Sequence, residues 1–383
     1  MFVKGRIKTG EYFDSVSLMI VGRDVSALDG VIDAAVVMGT RENQAILASA
    51  GLLLPEFENA NDSDLLIAVK CEDEQTIEGL FERIDDLLQQ SRKKASTDTE
   101  YRPRSLDSAL KALPDARLAL ISVAGKYAAR EAMQALERGL HVMIFSDNVS
   151  IEDEVELKTF ARDRGLLVMG PDCGTAIING IPLAFANEVA RGDIGLVAAS
   201  GTGLQELTCL ISNAGCGVSQ AIGTGGRDIK EAVGGIMFLE GLNALVDDPK
   251  TKVIVLVGKP PHPTVLEKIW NVTKTSSKKF VAIFQGTDAT PCGDSNVHLA
   301  KTLHEAAMKA VALSRGTAVD QVTLSLDASM EKLAAVASLP TPSARGERKY
   351  LRGLFSGGTF CVEAQVVLGT LLPGLCSNVP LQR

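Results

Sequence analysis

The residues best suited to chemistry lie in a short glycine-rich turn over residues 200–203, which reads Ser-Gly-Thr-Gly. An apolar run over 194–198 precedes it and a helical run follows, so a buried strand leads through the turn into a helix. Glycines allow a tight turn and let a ligand approach the backbone, while the first N–H groups of a helix are unpaired donors that favour negative charge. The pattern predicts an anion site.

A second glycine-rich turn follows about one helix later, over residues 223–228, and reads Gly-Thr-Gly-Gly-Arg-Asp. Its guanidinium, on Arg227, suits phosphate or carboxylate because it donates two parallel hydrogen bonds. Two such turns one strand and one helix apart indicate a single pocket at the carboxyl edge of a parallel sheet, for a phosphate-type ligand. The alternative stays open that both are ordinary connections in which glycine and serine serve turn geometry alone.

Two lysines extend the set of candidates. Lys259 follows an apolar strand in the run Gly-Lys-Pro-Pro-His-Pro, where it is placed to contact a carboxylate. Lys126 follows the turn Val-Ala-Gly at the end of an earlier strand, where it either meets an anion or is simply an exposed lysine at a helix start. No cluster of residues predicts a metal site. We therefore expect Arg227 and Lys259 to be catalytic, and the cofactor or phosphorylated ligand to contact Ser200, Gly201, Thr202, Gly203, Gly225, Gly226 and Lys126.

Composition limits the classes of function. The formal net charge of −8 argues against a general nucleic-acid binder and makes any phosphate site a local feature. The 7 cysteines are scattered without a CxxC pair, which favours neither a disulfide framework nor a zinc site. No apolar signal core opens the chain, and no uncharged run reaches the roughly 18 residues of a membrane span. We expect a cytoplasmic protein.

The scaffold that must position these turns follows from the apolar periodicity. Residues 1–91 alternate strand-like and helical runs, as in a small α/β unit, and a polar linker follows over 91–104. Residues 105–190 and 193–320 repeat apolar strands separated by helices, which predicts doubly wound parallel sheets. Residues 350–383 supply one strand and one helix, too little for a core, so we expect their apolar side chains to have no domain to close over them.

The individual predictions can be stated by range. The predicted strands are Phe2–Ile7, Val31–Met38, Leu65–Val69, Leu118–Val123, His141–Phe145, Leu166–Met169, Ile194–Ala198, Val218–Ile222, Val253–Val257 and Phe280–Phe284. The predicted helices are Glu42–Ala50, Glu74–Gln90, Ala128–Arg138, Ile151–Arg164, one around Ala328–Ala337, and one from Phe360.

Three runs carry a resemblance to a known family: Gly-Pro-Asp-Cys-Gly over 170–174, Leu-Val-Ala-Ala-Ser-Gly-Thr-Gly over 196–203, and the turn over 223–228. They resemble the α subunit of succinyl-CoA synthetase. The chain is more closely similar, over almost its whole length, to the bacterial FdrA proteins, including the runs 13–19, 145–148 and 352–359.

This resemblance implies an α/β fold with four parts. They are a small N-terminal α/β unit over 1–91, a Rossmann-like domain of the CoA-binding type over 105–190, a flavodoxin-like succinyl-CoA synthetase-type domain over 193–320, and the start of a C-terminal domain over 350–383. The resemblance also implies coenzyme A, and a nucleotide with Mg²⁺, as cofactors. Partner subunits or a homo-oligomer are implied as well, while the net charge and the length of the apolar runs lead us to expect neither a nucleic-acid nor a membrane partner.

Two departures from the synthetase pattern concern its chemistry. The synthetase carries phosphate on a histidine in a glycine-flanked loop, whereas the corresponding His298 has no flanking glycines, and Lys259 stands where an acidic partner is expected. We therefore expect His298 to be a helix-surface residue that carries no phosphate. In addition, residues 1–117 contain no GxGxxG-like turn, so coenzyme A is implied by the resemblance alone.

Three functions remain from this reasoning. The first is an acyl-CoA synthetase or ligase subunit that acts through an acyl phosphate, with helix N–H groups and Arg227 stabilising developing charge. The second is a subunit of an oxamate carbamoyltransferase that handles carbamoyl phosphate and needs neither coenzyme A nor a phosphohistidine. The third is a non-catalytic subunit that senses a metabolite.

Overall fold

The computed structural model describes residues 2–11, 13, 15–72, 75–94, 103–286, 296–322, 351–355, 357–369, 372 and 374–381. The chain divides into two compact units, Met1–Arg104 and Ser105–Arg383. Each combines helices with sheets, which confirms the predicted α/β class. Within the described residues, no helix combines the length and apolarity that a bilayer crossing needs.

The first unit is an antiparallel sheet in the order β1-β3-β2 with helices on both faces. Strand side chains alternate between faces, so β3 sends Leu65, Ile67 and Val69 to one core and Leu66 and Ala68 to the other. The elements are β1 (Phe2–Lys8), α1 (Ser15–Ser26), β2 (Val31–Met38), α2 (Arg41–Ala50), a 3₁₀ turn (Pro55–Asn59), β3 (Leu65–Cys71) and α3 (Gln75–Lys94).

The second unit begins with a small parallel sheet in the order β4-β5-β6. Alanines on one face of its longest helix pack on the strands, because small side chains allow helix and sheet to approach closely. The elements are α4 (Leu106–Ala112), β4 (Leu118–Ile121), α5 (Gly125–Glu137), β5 (His141–Ile144), α6 (Ile151–Arg162) and β6 (Val168–Met169).

A seven-stranded sheet in the order β13-β12-β11-β9-β10-β7-β8 forms the rest of this unit. Strands β9 to β13 run parallel, whereas β7 and β8 form an antiparallel edge. The elements are β7 (Thr175–Ile178), β8 (Ile181–Ala184), β9 (Arg191–Ala198), α7 (Gly201–Asn213), β10 (Val218–Gly223), α8 (Ile236–Asp247), β11 (Val253–Gly258), α9 (Pro263–Thr275), β12 (Lys279–Phe284), β13 (Val297–Leu299), α10 (Leu303–Arg315) and α11 (Gly358–Gly369).

Helices cover both faces of this large sheet. Helices α8 and α9 pack on one face and α7 and α10 on the other, and every residue of the central strand β11 is buried. Because the strands are parallel, the carboxyl ends of β9, β10 and β11 share one edge. Three candidate segments follow strands at that edge: the turn over 200–203, the turn over 223–228, and Lys259.

The structure corrects the sequence predictions for the end of the chain. Residues 351–355 form no strand, and α11 begins at Gly358, two positions before the predicted start at Phe360. The helix predicted around 328–337 lies outside the described residues. Helix α11 is docked on the unit, so the expectation that its apolar side chains have no domain to cover them is wrong. Phe360 packs against the core beneath α7 and α10, and Val362 is 4% exposed. Leu354 and Phe355 do stay exposed.

Candidate active site

The turn after β9 caps helix α7 and leaves donors free at its start. Ser200 Oγ accepts a hydrogen bond of 3.1 Å from the Gly203 N–H. Among the described residues, the N–H groups of Gly201 and Thr202 have no acceptor, as expected for a first helical turn. Among the described residues, no atom outside the turn and its own helix lies within 4 Å of the position that a Cβ on Gly201 would occupy, so this side of the turn is open to a ligand.

Gly203, which the sequence places among the ligand-contacting residues, makes close packing contacts in the structure. A Cβ on Gly203 would lie 2.8 Å from Ser200 Oγ and 3.2 Å from Val257 Cγ1. The residue therefore permits helix α7 to pack closely on β11, and it is buried away from the open side of the turn.

The start of helix α11 meets the start of helix α7. Thr359 Oγ1 lies 2.8 Å from Ser200 Oγ, and a Cβ on Gly357 would lie 2.8 Å from Thr202 Oγ1, so glycine is required for this approach. Among the described residues, the N–H groups of Gly358 and Thr359 also have no acceptor. Two helix N-termini thus present their free donors side by side, and we call this place the paired-turn site.

Two lysines lie beside the paired-turn site. Lys259 Nζ is 3.9 Å from the position of a Cβ on Gly358, and no carboxylate of the described residues pairs with it. Lys230 Nζ donates to the Pro260 carbonyl at 2.7 Å. Burial lowers the pKa of Lys230, and the positive charge of Lys259 lowers it further, so the two ammonium groups are close enough to repel each other. A bound anion would relieve that repulsion.

The turn after β10 is held by contacts of its own. Arg227 Nη2 lies 2.8 Å from Glu154 Oε2 and donates to the Val149 carbonyl at 2.9 Å, so the guanidinium already has a carboxylate partner. Gly225 has φ +84°, and a Cβ there would lie 2.4 Å from the Pro171 carbonyl oxygen. Gly226 is exposed, and of the described residues only Ala199 comes near the position of a Cβ on Gly226, with its carbonyl oxygen at 3.8 Å.

A buried ionic network lies beneath this turn, and sequence reasoning missed it. Lys158 Nζ donates to Glu154 Oε1 at 2.7 Å, to Asp228 Oδ1 at 2.7 Å and to the Thr224 carbonyl at 2.9 Å. The side chains of Lys158, Glu154 and Asp228 are at most 1% exposed. With Arg227 the network alternates in sign, and it fixes the second turn to helix α6. The spacing of Glu154 and Lys158 by four residues was the sequence signal available.

The remaining candidates lie elsewhere in the unit. Lys126, at the start of α5, is exposed, with its Nζ 5.0 Å from the centre of the Tyr127 ring, and no contact among the described residues joins it to the paired-turn site. His298 lies in strand β13 opposite Val281, so its expected place on a helix surface is wrong. Burial lowers the pKa of His298, and Lys309 and Lys279 lower it further, which favours the neutral imidazole.

Comparison with known families assigns part of this region. Residues 190–286 match the family described as CoA binding domain, and this span holds both glycine-rich turns and Lys259. It lies on the seven-stranded sheet, C-terminal to the 105–190 region in which the resemblance placed the CoA-binding type of domain. Residues 1–103 match the family described as AllF, heavy metal-associated domain. In the described part of the chain, no group of three or more His, Cys, Asp or Glu is placed to hold a metal ion.

The chain is also similar to individual proteins. Subunit alpha 2 of the ADP-forming succinate–CoA ligase of Archaeoglobus fulgidus is 28% identical over 149 residues. The matched part covers 38% of this chain and 50% of that subunit. The apo acetyl-coenzyme A synthetase 1 of Ca. Korarchaeum cryptofilum superimposes with a TM-score of 0.42 at 19% identity, covering 52% of this chain and 48% of that one. The uncharacterized protein YahF of Escherichia coli K12 is 46% identical over 99% of this chain and 72% of its own length. The chain therefore belongs to the family of YahF.

Proposed function

We propose that the chain is a subunit of an FdrA-type acyl-CoA synthetase, similar to succinyl-CoA ligase, and that the paired-turn site binds its phosphorylated acid. The observation that carries this proposal is the 2.8 Å contact between Ser200 Oγ and Thr359 Oγ1, which brings two helix N-termini to one place. Each helix N-terminus carries about half a positive charge, and Lys259 adds a full one. That combination suits a phosphoryl group better than a neutral ligand.

The mechanism that we derive for the protein's own residues is electrostatic. The free N–H groups of Gly201 and Thr202, with those of Gly358 and Thr359, would hold the oxygens of the phosphoryl group. Lys259 would neutralise the charge that develops when the phosphoryl group and the acid separate. Because His298 lies in a strand, we assign it no covalent step.

We propose that a phosphate of coenzyme A, or of a nucleotide with Mg²⁺, would lie at one further part of the edge. Gly226 is exposed and has open space above its backbone, so it is the residue of the second turn that would lie against a cofactor phosphate. When bound, coenzyme A supplies the thiol that accepts an acyl group. We propose that Arg227 orients this turn through Glu154, because a guanidinium that is already paired is a weaker ligand for a second anion.

Calorimetric titration tests the site directly. We expect acetyl phosphate and inorganic phosphate to bind the wild-type protein, and Lys259→Met to raise the Kd by about tenfold, the scale of one charge-assisted hydrogen bond. The difference should shrink as salt screens the exposed charge. Lys268→Met, which removes an exposed lysine of α9, is the matched control and should leave the Kd unchanged. No binding by folded wild type, or equal affinity in Lys259→Met, would contradict the proposal.

A second candidate function is carbamoyl transfer, in which this chain and a partner subunit would act on carbamoyl phosphate and oxamate. The place of His298 in β13 favours it, because carbamoyl transfer needs no phosphohistidine. The same titration separates the two functions. Binding of carbamoyl phosphate that is strengthened by oxamate and indifferent to coenzyme A supports the transferase, whereas acetyl phosphate binding that is coupled to coenzyme A supports the ligase.

A further inference from the structure

Glu363, one turn into helix α11, joins three elements of the second unit. Its Oε1 accepts a hydrogen bond of 2.9 Å from the N–H of Leu303, the first residue of α10. Its Oε2 accepts one of 3.4 Å from Gln285 Nε2, directly after β12. A carboxylate at a helix N-terminus pairs with a donor that the helix itself leaves unpaired and faces the positive end of the helix dipole.

Glu363 and Thr359 are four residues apart on α11, so they share one face of that helix. Fixing Glu363 against α10 therefore also fixes where the first turn of α11 lies. We propose that Glu363 is a positioning residue whose bonds to Leu303 and Gln285 hold Gly357–Thr359 against the Ser200 turn. This inference rests on the proposed function, since it assigns Glu363 to the assembly of the same site.

The charges around Glu363 indicate which substitution can replace it. Burial raises the pKa of the Glu363 carboxyl and a nearby Glu206 on α7 raises it too, whereas the Leu303 N–H bond and His304 on α10 lower it. The net shift of the Glu363 pKa is upward, so these surroundings penalise the charged form relative to water. A glutamine keeps an acceptor for the Leu303 N–H and carries no charge to bury. It should therefore take over the positioning role, while alanine cannot.

Hydrogen exchange followed by mass spectrometry, without any ligand, tests the positioning. We expect Glu363→Ala to speed exchange of the amides in 361–365, whose N–H groups are paired along α11, by about tenfold, as for the loss of one ordinary hydrogen bond. Glu363→Gln should restore the wild-type rate. Glu267→Ala, which removes an exposed glutamate of α9, controls for loss of a carboxylate. The melting temperature should move little, because the cores on both faces of the sheet are untouched.

Phosphate titration of the same variants separates this inference from the proposed function. A weaker affinity in Glu363→Ala that returns in Glu363→Gln supports positioning of the site. Unchanged exchange over 361–365 in Glu363→Ala, or no recovery in Glu363→Gln, overturns the inference. Faster exchange and full recovery, with no phosphate binding by any variant, supports the positioning of α11 and contradicts the proposed function alone.

Discussion

Single glycines at the paired-turn site have opposite roles, although they lie in the same four-residue run. Gly201 faces open space, whereas Gly203 lies against Ser200 Oγ and Val257. Spacing within a Gly-x-Gly turn does not tell which glycine faces a ligand, because that depends on how the following helix rotates onto the sheet. The backbone N–H groups that the sequence predicts at Ser200–Gly203 are present, but only those at the open side are free.

This difference predicts that replacing glycine by valine has different effects at the two positions. Gly201→Val places its side chain over the free N–H groups, so we expect phosphate affinity to fall at least about tenfold with folding stability kept. Gly203→Val drives its Cβ into Ser200 and β11 and should cost about 1–3 kcal/mol of unfolding free energy. Phosphate titration and urea denaturation measure the two effects. Equal losses of stability in both variants would show that the turn does not have an open and a packed side.

Buried charge on helix α6 shows how a helix can be tied to a distant turn. Lys158 lies on a helix whose sequence is rich in charged residues, a pattern typical of a solvent-exposed side chain. In the structure it is completely buried between Glu154 and Asp228. Asp228 in turn accepts the N–H groups of Met237 and Phe238 at the start of α8. The network therefore connects α6, the turn after β10 and α8.

Removal of the Lys158 ammonium should be costly for this reason. Lys158→Met leaves two buried carboxylates with one fewer partner, and we expect a loss of about 3–5 kcal/mol in unfolding free energy. Urea denaturation at neutral pH measures it, with Lys268→Met as the surface control. Because protonation neutralises an uncompensated carboxylate, the variant should recover part of its stability as the pH falls. A loss below about 1 kcal/mol would mean that solvent reaches these carboxylates when the lysine is absent.

At the scale of elements, continuous apolar runs made the central parallel strands predictable, since strands buried on both faces have no polar alternation. Strands β9 to β12 were each predicted within about three residues of their observed ends. Short elements were not predictable in this way. The antiparallel pair β7–β8 and the three-residue β13 are too brief to carry a periodicity, and their position depends on the strands that they join.

At the scale of the whole molecule, the two compact units have separate hydrophobic cores. Among the described residues, the clusters of the first unit end at Leu88, and those of the second begin at Leu106. We expect two calorimetric transitions, one for each unit, with only the second shifted upward by phosphate, because a ligand stabilises the unit that binds it. A single transition shifted as a whole would contradict independent unfolding.

The parts of the candidate site that could not be predicted are those built from contacts between segments far apart in the sequence. Ser200 and Thr359 are 159 positions apart. Nothing in the sequence around either residue indicates that the two come into contact. The local sequence pattern predicted the turn over 200–203, and the run Ser-Gly-Gly-Thr over 356–359 predicted a turn followed by a helix. Tertiary packing alone brings the two turns together. The same holds for Glu363, whose partners lie at 285 and 303.

This separation along the chain has a consequence for biosynthesis. A ribosome that has made the chain as far as α10 has already supplied every strand of the seven-stranded sheet and the helices α7 to α10 that cover its two faces. The second set of donors, at Gly358 and Thr359, is translated only afterwards. Nascent protein at that stage would hold this scaffold with only the first set of donors, so the proposed paired-turn site would be assembled only after α11 has been translated.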